Sequence, residues 1–153
     1  MKQFLIVLTM FASGNSATAQ TSEDSVKAVI NKMFLAMKEG NGDNVKSTFS
    51  DSIVFQSISK SKEGHDVVKN VDPAGFINFI NKEAPGNADE RITFDIVKVD
   101  GNLAIAWTPY SFYYKGAFSH CGVNSFQLVR LNGEWKIQYL IDTRRKVGCV
   151  VSQ

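Results

Sequence analysis

Two residues, Asn132 and Gly133, separate two long runs in which apolar and polar side chains alternate: His120 to Leu131 before them, Glu134 to Thr143 after. Asn-Gly readily adopts the paired positive-φ conformation of a two-residue hairpin turn, whose twist matches that of its flanking strands. Leu131 then pairs with Glu134, and the remaining pairs follow by counting outward. One face of this hairpin carries Asn124, Phe126, Leu128 and Arg130 with Trp135, Ile137, Tyr139 and Ile141. The other carries Val123, Ser125, Gln127 and Val129 with Lys136, Gln138, Leu140 and Asp142. The first face is largely apolar and must be covered; the second is mixed and suits solvent or a partner subunit. Uninterrupted alternation sets Cys121 opposite Arg144 and His120 opposite Arg145.

Upstream the period is helical. Val26, Val29, Ile30, Met33, Phe34 and Met37 form one apolar stripe, with Thr21 or Ser22 as cap, Glu23 and Asp24 at the start and Gly40 as the stop. Asp43 can cap a second, shorter helix carrying Val45 and Phe49, and Ile53 to Ile58 reads as a strand. Ser59 to Asp66 is polar and loop-like. Asp72-Pro73 opens a third helix with Phe76, Ile77, Phe79 and Ile80. Ile92, Phe94 and Ile96 alternate up to a tight turn at Asp100-Gly101, and Leu103 to Tyr114 is a long strand in which Pro109 removes a ladder donor and implies a bend. Lys115-Gly116 makes the next turn. Helices therefore come first, followed by an antiparallel meander of four or five strands. Three helices cover only one face of such a sheet. The expected class is α+β, with the N-terminal helices packed in a strongly bent antiparallel sheet that leaves a pocket at one end.

The chain has 153 residues, enough for one domain. Residues 1–19 read as a signal peptide: Lys2, then an apolar stretch from Phe4 to Ala12, a break at Ser13 to Ser16, and Ala17-Thr18-Ala19 as a small-x-small cleavage site. Residues 20–153 form the single domain, expected to be exported to the periplasm or secreted. No cysteine follows the apolar stretch, so no lipid anchor is indicated, and no later segment has membrane-spanning length. In an oxidising compartment Cys121 and Cys149 can pair; two unpaired thiols are the alternative, since the register leaves Cys149 five residues beyond the partner of Cys121. A net charge of +2 without a long basic run gives no footprint for nucleic acid.

The segments Ala106-Trp107-Thr108-Pro109-Tyr110, Ser119 to Leu128, Trp135-Lys136-Ile137 and Asp142-Thr143-Arg144-Arg145, with Cys149 after them, resemble the NTF2-like superfamily. This is the cone fold of nuclear transport factor 2, scytalone dehydratase, ketosteroid isomerase and the SnoaL-like cyclases. The nearest likeness is to an exported bacterial group described as putative lumazine-binding. The resemblance covers about Ser22 to Cys149. It implies a cone with a cavity and a dimer formed through the outer sheet face; it transfers no activity, because the fold hosts enzymes and binders alike.

Several residues are candidates for chemistry. His120, at a strand start, can act as general acid or base; a hydrogen-bonded strand-end histidine is the structural alternative. Asp142 is the candidate carboxylate base, although an ion pair with Arg144 or Arg145 would weaken it and strict alternation places it outside unless a bulge intervenes. Tyr110 is the candidate donor to a developing enolate. Trp107, Tyr110 and Tyr113, from the aromatic segment that ends at Phe118, are expected to line a ligand site with Arg144. His65, in the polar loop, has no ligand cluster at metal spacing, so no metal is expected, and no cofactor motif is present. The Walker loop, the dinucleotide glycine fingerprint, the nucleophile elbow and HExxH are all lacking from the sequence, which argues against phosphoryl transfer, nicotinamide chemistry, serine hydrolysis and zinc proteolysis.

The residues favour a small-molecule binder with an aromatic-lined cavity. An isomerase, cyclase or dehydratase using His120 or Asp142 is the first alternative. A homodimeric interaction module using Val123, Gln127, Val129 and Leu140 is the second.

Overall fold

A computed structural model describes residues 21–149; the signal peptide expected over 1–19 lies outside them. The first helix, α1 (Ser22–Lys38), starts where the Thr21 hydroxyl accepts from Asp24 N, and the chain turns away at Gly40 (φ +68°). Its buried stripe is Val26, Ile30, Met33, Phe34 and Met37, the helical spacing of the sequence. The second helix, α2 (Gly42–Thr48), is capped by Asn41 and not by Asp43: Asn41 Oδ1 reaches Asn44 N at 2.9 Å. Phe49, expected on that helix, opens strand β1 (Phe49–Lys60). A short strand, β2 (Asp66–Asn70), was hidden by its exposed, mostly polar residues. Helix α3 (Pro73–Ile80) follows, with Asp72 accepting from Ala74 N and Gly75 N. The remaining strands are β3 (Ala88–Ile92), β4 (Ile96–Asp100), β5 (Leu103–Tyr114), β6 (Ala117–Leu131) and β7 (Glu134–Thr143).

The strands form one seven-stranded sheet in the order β2-β1-β7-β6-β5-β3, with β4 also on β5. Every pair is antiparallel except β1 with β7, which is parallel. The sheet exceeds the expected four or five strands because β1 and β2 extend the meander beyond β7. The helices lie on its concave face, with α1 against β3, β4 and β7. Phe126, Leu128 and Ile137 are fully buried beneath them, and the Phe34 and Phe126 rings meet edge to face at 6.2 Å. Truncating Phe126 to alanine would cost about 3–5 kcal/mol. Among the described residues no helix is long and apolar enough to cross a membrane.

Besides an extra residue in β6, Ser119, and a register shift between β1 and β7, two irregularities set the geometry of the site. Ile92, Phe94 and Ile96 do not form one strand. The edge kinks at residues 93–95, where Thr93 N donates to Pro109 O and Asp95 N to Trp107 O, opposite the proline that has no N–H to offer. The second lies in the hairpin. Leu131 pairs with Glu134 as expected and the count holds to Leu128 with Ile137, but Gln127 then pairs with Tyr139. Gln138 is the extra residue of a β-bulge. Beyond it every side chain of β7 changes face: Leu140 and Asp142 turn into the concave side, whereas Tyr139 and Ile141 turn out. Gln138 also ties the bulge to β1, accepting from Ser50 Oγ at 2.8 Å and donating to Ser52 O at 2.9 Å. The shift sets Cys121 opposite Arg145, not Arg144, with backbone hydrogen bonds in both directions. Past this bridge the chain curls back through Gly148 (φ +66°), and Cys149 is disulfide-bonded to Cys121 with their Cα atoms 5.8 Å apart.

Candidate functional site

A cavity of about 360 Å³ remains where the concave sheet is not filled by the helices, within the size range of small-molecule sites. Its walls are mainly apolar. Met33, Phe34 and Met37 come from α1, Phe76, Phe79 and Ile80 from α3, and Phe55, Phe112 and Leu140 from the sheet. The α1 stripe thus has two uses, since its C-terminal half seals the core and also faces the cavity. Phe55 and Phe76 meet edge to face at 5.3 Å.

The polar groups gather at the sheet side: Glu90, His120, Asn124, Asp142 and Arg144 all line the cavity. Asn124 Nδ2 donates to Glu90 Oε1 at 2.8 Å, and Arg144 Nε donates to Asp142 Oδ2 at 2.8 Å. Asp142 is 5% exposed, and its Oδ1 has no hydrogen-bond partner. Burial pushes the Glu90 carboxyl up to about 7; the Asp142 charge adds to this, and the Asn124 hydrogen bond and Arg144 oppose it. His120 is held below its ordinary value, first by burial and then by the Arg144 and Lys146 charges, against Asp142. Its Nδ1 lies 3.0 Å from Ser119 Oγ, and its ring packs on Phe112 and on the edge of Tyr110. Uninterrupted alternation placed Arg145 opposite His120; with the bulge, Arg144 and Lys146 are the cations that act on the ring.

Tyr110 is buried behind this cluster and is not on the cavity wall. Its hydroxyl donates to Thr143 O at 2.9 Å and lies 3.4 Å from Asp142 Oδ2. Burial, with the Glu90 and Asp142 carboxylates, drives the phenol far above its ordinary value, so it remains a donor. Gly122 makes this approach feasible, because a Cβ there would collide with the Thr143 carbonyl and crowd the Tyr110 ring.

The other expected lining residues point elsewhere. Trp107 is 44% exposed on the outer face of β5, in phase with Leu103 and Ile105, while Ala106 and Thr108 face inward. Tyr113 also lies outside the cavity, under the Arg91 guanidinium at 4.3 Å and against Phe118. Leu140, expected on the outer face, is core. Sequence reasoning missed Glu90, Asn124 as a polar contact, and Phe112 as a wall. The available signal was phase: Glu90 alternates with Ala88 and Ile92, so a carboxylate falls on the apolar side of its strand. Among the described residues no three His, Cys, Asp or Glu side chains are placed so that they could hold a metal ion together, and His65 stands in the Ser61–His65 loop away from the cavity.

The chain matches no protein-family profile and no curated protein. Its fold does have solved counterparts. An NTF2-like protein of unknown function from Shewanella baltica OS155 superposes with a TM-score of 0.60 at 12% identity, over 79% of this chain and 91% of that one. One from Methylobacillus flagellatus KT gives 0.60 at 18% identity, over 80% and 90%. A domain of unknown function from Nostoc punctiforme PCC 73102, described as having a cystatin-like fold, gives 0.62 at 19% identity, over 87% and 82%. At these identities the likeness concerns the fold. The architecture is the NTF2-like cone, with three helices packed in a strongly curved open sheet.

Proposed function

We propose that this protein holds a small, largely apolar organic molecule in the cone, with the molecule's polar end against Glu90, His120, Asn124 and Asp142. The observation that carries this reading is an apolar cavity of about 360 Å³ whose polar groups converge at one end. The reading includes export through the leader at 1–19 and the putative lumazine-binding group that the sequence resembles. It is tested by a thermal-shift and NMR screen of pterin and flavin precursors, ketosteroids and polyketide-like acids. Binding that disappears in Val71→Trp, which narrows the cavity at a lining position, supports it. Absence of any binder, or binding indifferent to that substitution, overturns it.

A second reading, proton-transfer catalysis of the isomerase or dehydratase kind, is favoured by Glu90. A carboxyl near 7 is part protonated at neutral pH and can both take and return a proton. Glu90 therefore replaces Asp142 as the preferred base: Asp142 is committed to Arg144, and the Tyr110 hydroxyl is given to Thr143 O and Asp142 behind the cavity wall. Solvent deuterium exchange at the α-carbon of a bound ketone, lost in Glu90→Gln, tests it.

A homodimer through the outer face is the third element of the proposal. Leu103, Ile105 and Trp107 are each about half exposed in a row on β5, a better patch than the Val123, Gln127, Val129 and Leu140 set because Leu140 faces inward.

A further inference from the structure

We propose that the occupant of the cone is a protonated amine carried on an apolar body of one or two rings. This rests on the cavity-binding reading and names the chemical class it takes.

The polar end of the cavity has unused acceptors. Glu90 Oε1 is taken by Asn124, and Asp142 Oδ2 by Arg144 and, at longer range, Tyr110. Asp142 Oδ1 has no partner although its side chain is only 7% exposed. A buried carboxylate oxygen without a donor is unfavourable, and an incoming N–H relieves it. Charge points the same way. Glu90 from β3 and Asp142 from β7 face one guanidinium, Arg144, whose Nε is already given to Asp142. Asn124 from β6 adds no charge, and burial with the Arg144 and Lys146 charges disfavours the imidazolium of His120. Helices α1 and α3 present only apolar side chains there, and β1 presents Phe55. The remaining carboxylate of β3, Asp89, is occupied by Lys38 and Arg91 outside the cavity.

An anionic head group would meet two carboxylates and gain one shared arginine. A hydroxyl has a single proton to give. An ammonium has three N–H donors, enough for the second oxygen of Glu90 and for Asp142 Oδ1 once that enclosed oxygen turns toward the cavity, and its charge balances the excess of carboxylates over Arg144. Because burial holds Glu90 near 7, a cation beside it favours the ionised form; amine uptake at neutral pH releases a proton from Glu90 and strengthens as pH rises through 7.

The test uses one apolar body with three head groups: 2-(1-naphthyl)ethylamine, 1-naphthaleneethanol and 1-naphthaleneacetate, titrated by calorimetry at pH 6 and pH 8 in two buffers of different ionisation enthalpy. The amine should bind about tenfold tighter than the alcohol at pH 8, the carboxylate weakest, with proton release on amine binding at pH 7. In Glu90→Gln the amine-to-alcohol affinity ratio should fall toward one and the proton release should vanish. Asp142→Asn should lower the same ratio, and Glu90→Gln decides the matter if Asp142→Asn does not fold. Equal binding of amine and alcohol, or tighter binding of the carboxylate, overturns the amine assignment and leaves the cavity reading intact. Binding of none of the three removes both.

Discussion

Asn124 on β6 stands directly opposite Asp142 on β7, and a single extra residue, Gln138, is the reason. Without the bulge Asp142 would point out of the cone and Asn124 would face Ile141. The bulge aligns the carboxylate with Asn124, Glu90 and His120 on the concave face and makes Arg145, not Arg144, the partner of Cys121. Gln138 is anchored by Ser50 and Ser52 of β1, where the β1–β7 pairing is itself irregular between Phe49 and Val54. Gln138→Ala removes these hydrogen bonds and should lower stability by about 1–3 kcal/mol, read as a shift in the urea midpoint. A midpoint equal to that of the wild type would show that the bulge holds without its amide.

Glu90 should titrate near 7 in a carboxyl NMR experiment. Asn124→Ala removes the hydrogen bond that favours the charged form, so the value should rise further. Asp142→Asn removes a like charge, so it should fall.

The same carboxyl affects folding. Its folded value lies above the ordinary 4.5, so the folded state holds the proton more tightly. The resulting stability is complete below about 4.5 and is lost as pH rises through 7. Glu90→Gln abolishes that loss. Relative to wild type it should gain about 2 kcal/mol between pH 4.5 and pH 8, allowing for partial exposure of the carboxyl. His120, held low, works in the opposite sense below its ordinary 6.5 and cancels in the comparison.

Gly122→Ala tests the close approach of β6 to the end of β7. The added methyl meets the Thr143 carbonyl and the Tyr110 ring, so the variant should lose roughly 2 kcal/mol or more. His120, whose ring packs on Tyr110, should show the change in its ring NMR shifts.

Removing both sulfurs with Cys121→Ser and Cys149→Ser opens a loop of 28 residues. The chain-entropy argument gives a loss of roughly 3.5 kcal/mol in thermal or chemical unfolding. The tail that carries Arg144 and Arg145 would then be held to β6 by the Cys121–Arg145 backbone pair without its covalent link.

Trp107→Ala separates the outer face from the cavity. Because Trp107 is exposed on the far side of β5, the substitution should leave affinity for a cavity ligand within about twofold. It should weaken any self-association measured by sedimentation. Loss of ligand binding with unchanged association would reverse this assignment.

Local chemistry was sufficient for most of the elements, though not for β2, the start of β1 at Phe49 or the break between β3 and β4. The α1 stripe, the Asp72-Pro73 start, the turns at Asp100-Gly101, Lys115-Gly116 and Asn132-Gly133, and the helices-then-strands order all follow from side-chain period and backbone preference, which act within a few residues. From these alone the α+β cone and the presence of a hollow could be inferred. The side to which each residue of β7 points beyond Ile137 could not. It depends on whether one residue is spared from the ladder, and that residue, Gln138, is held by Ser50 and Ser52 of β1, distant in sequence. One skipped residue reverses the facing of Leu140 and Asp142, while the turn of the tail through Gly148 brings Cys149 to Cys121. Glu90 became part of the site in the same way: only when β3 closed on β5 did its carboxyl come to rest beside Asn124. Side-chain period sets which residues share a face, whereas strand pairing across the sheet sets which face that is.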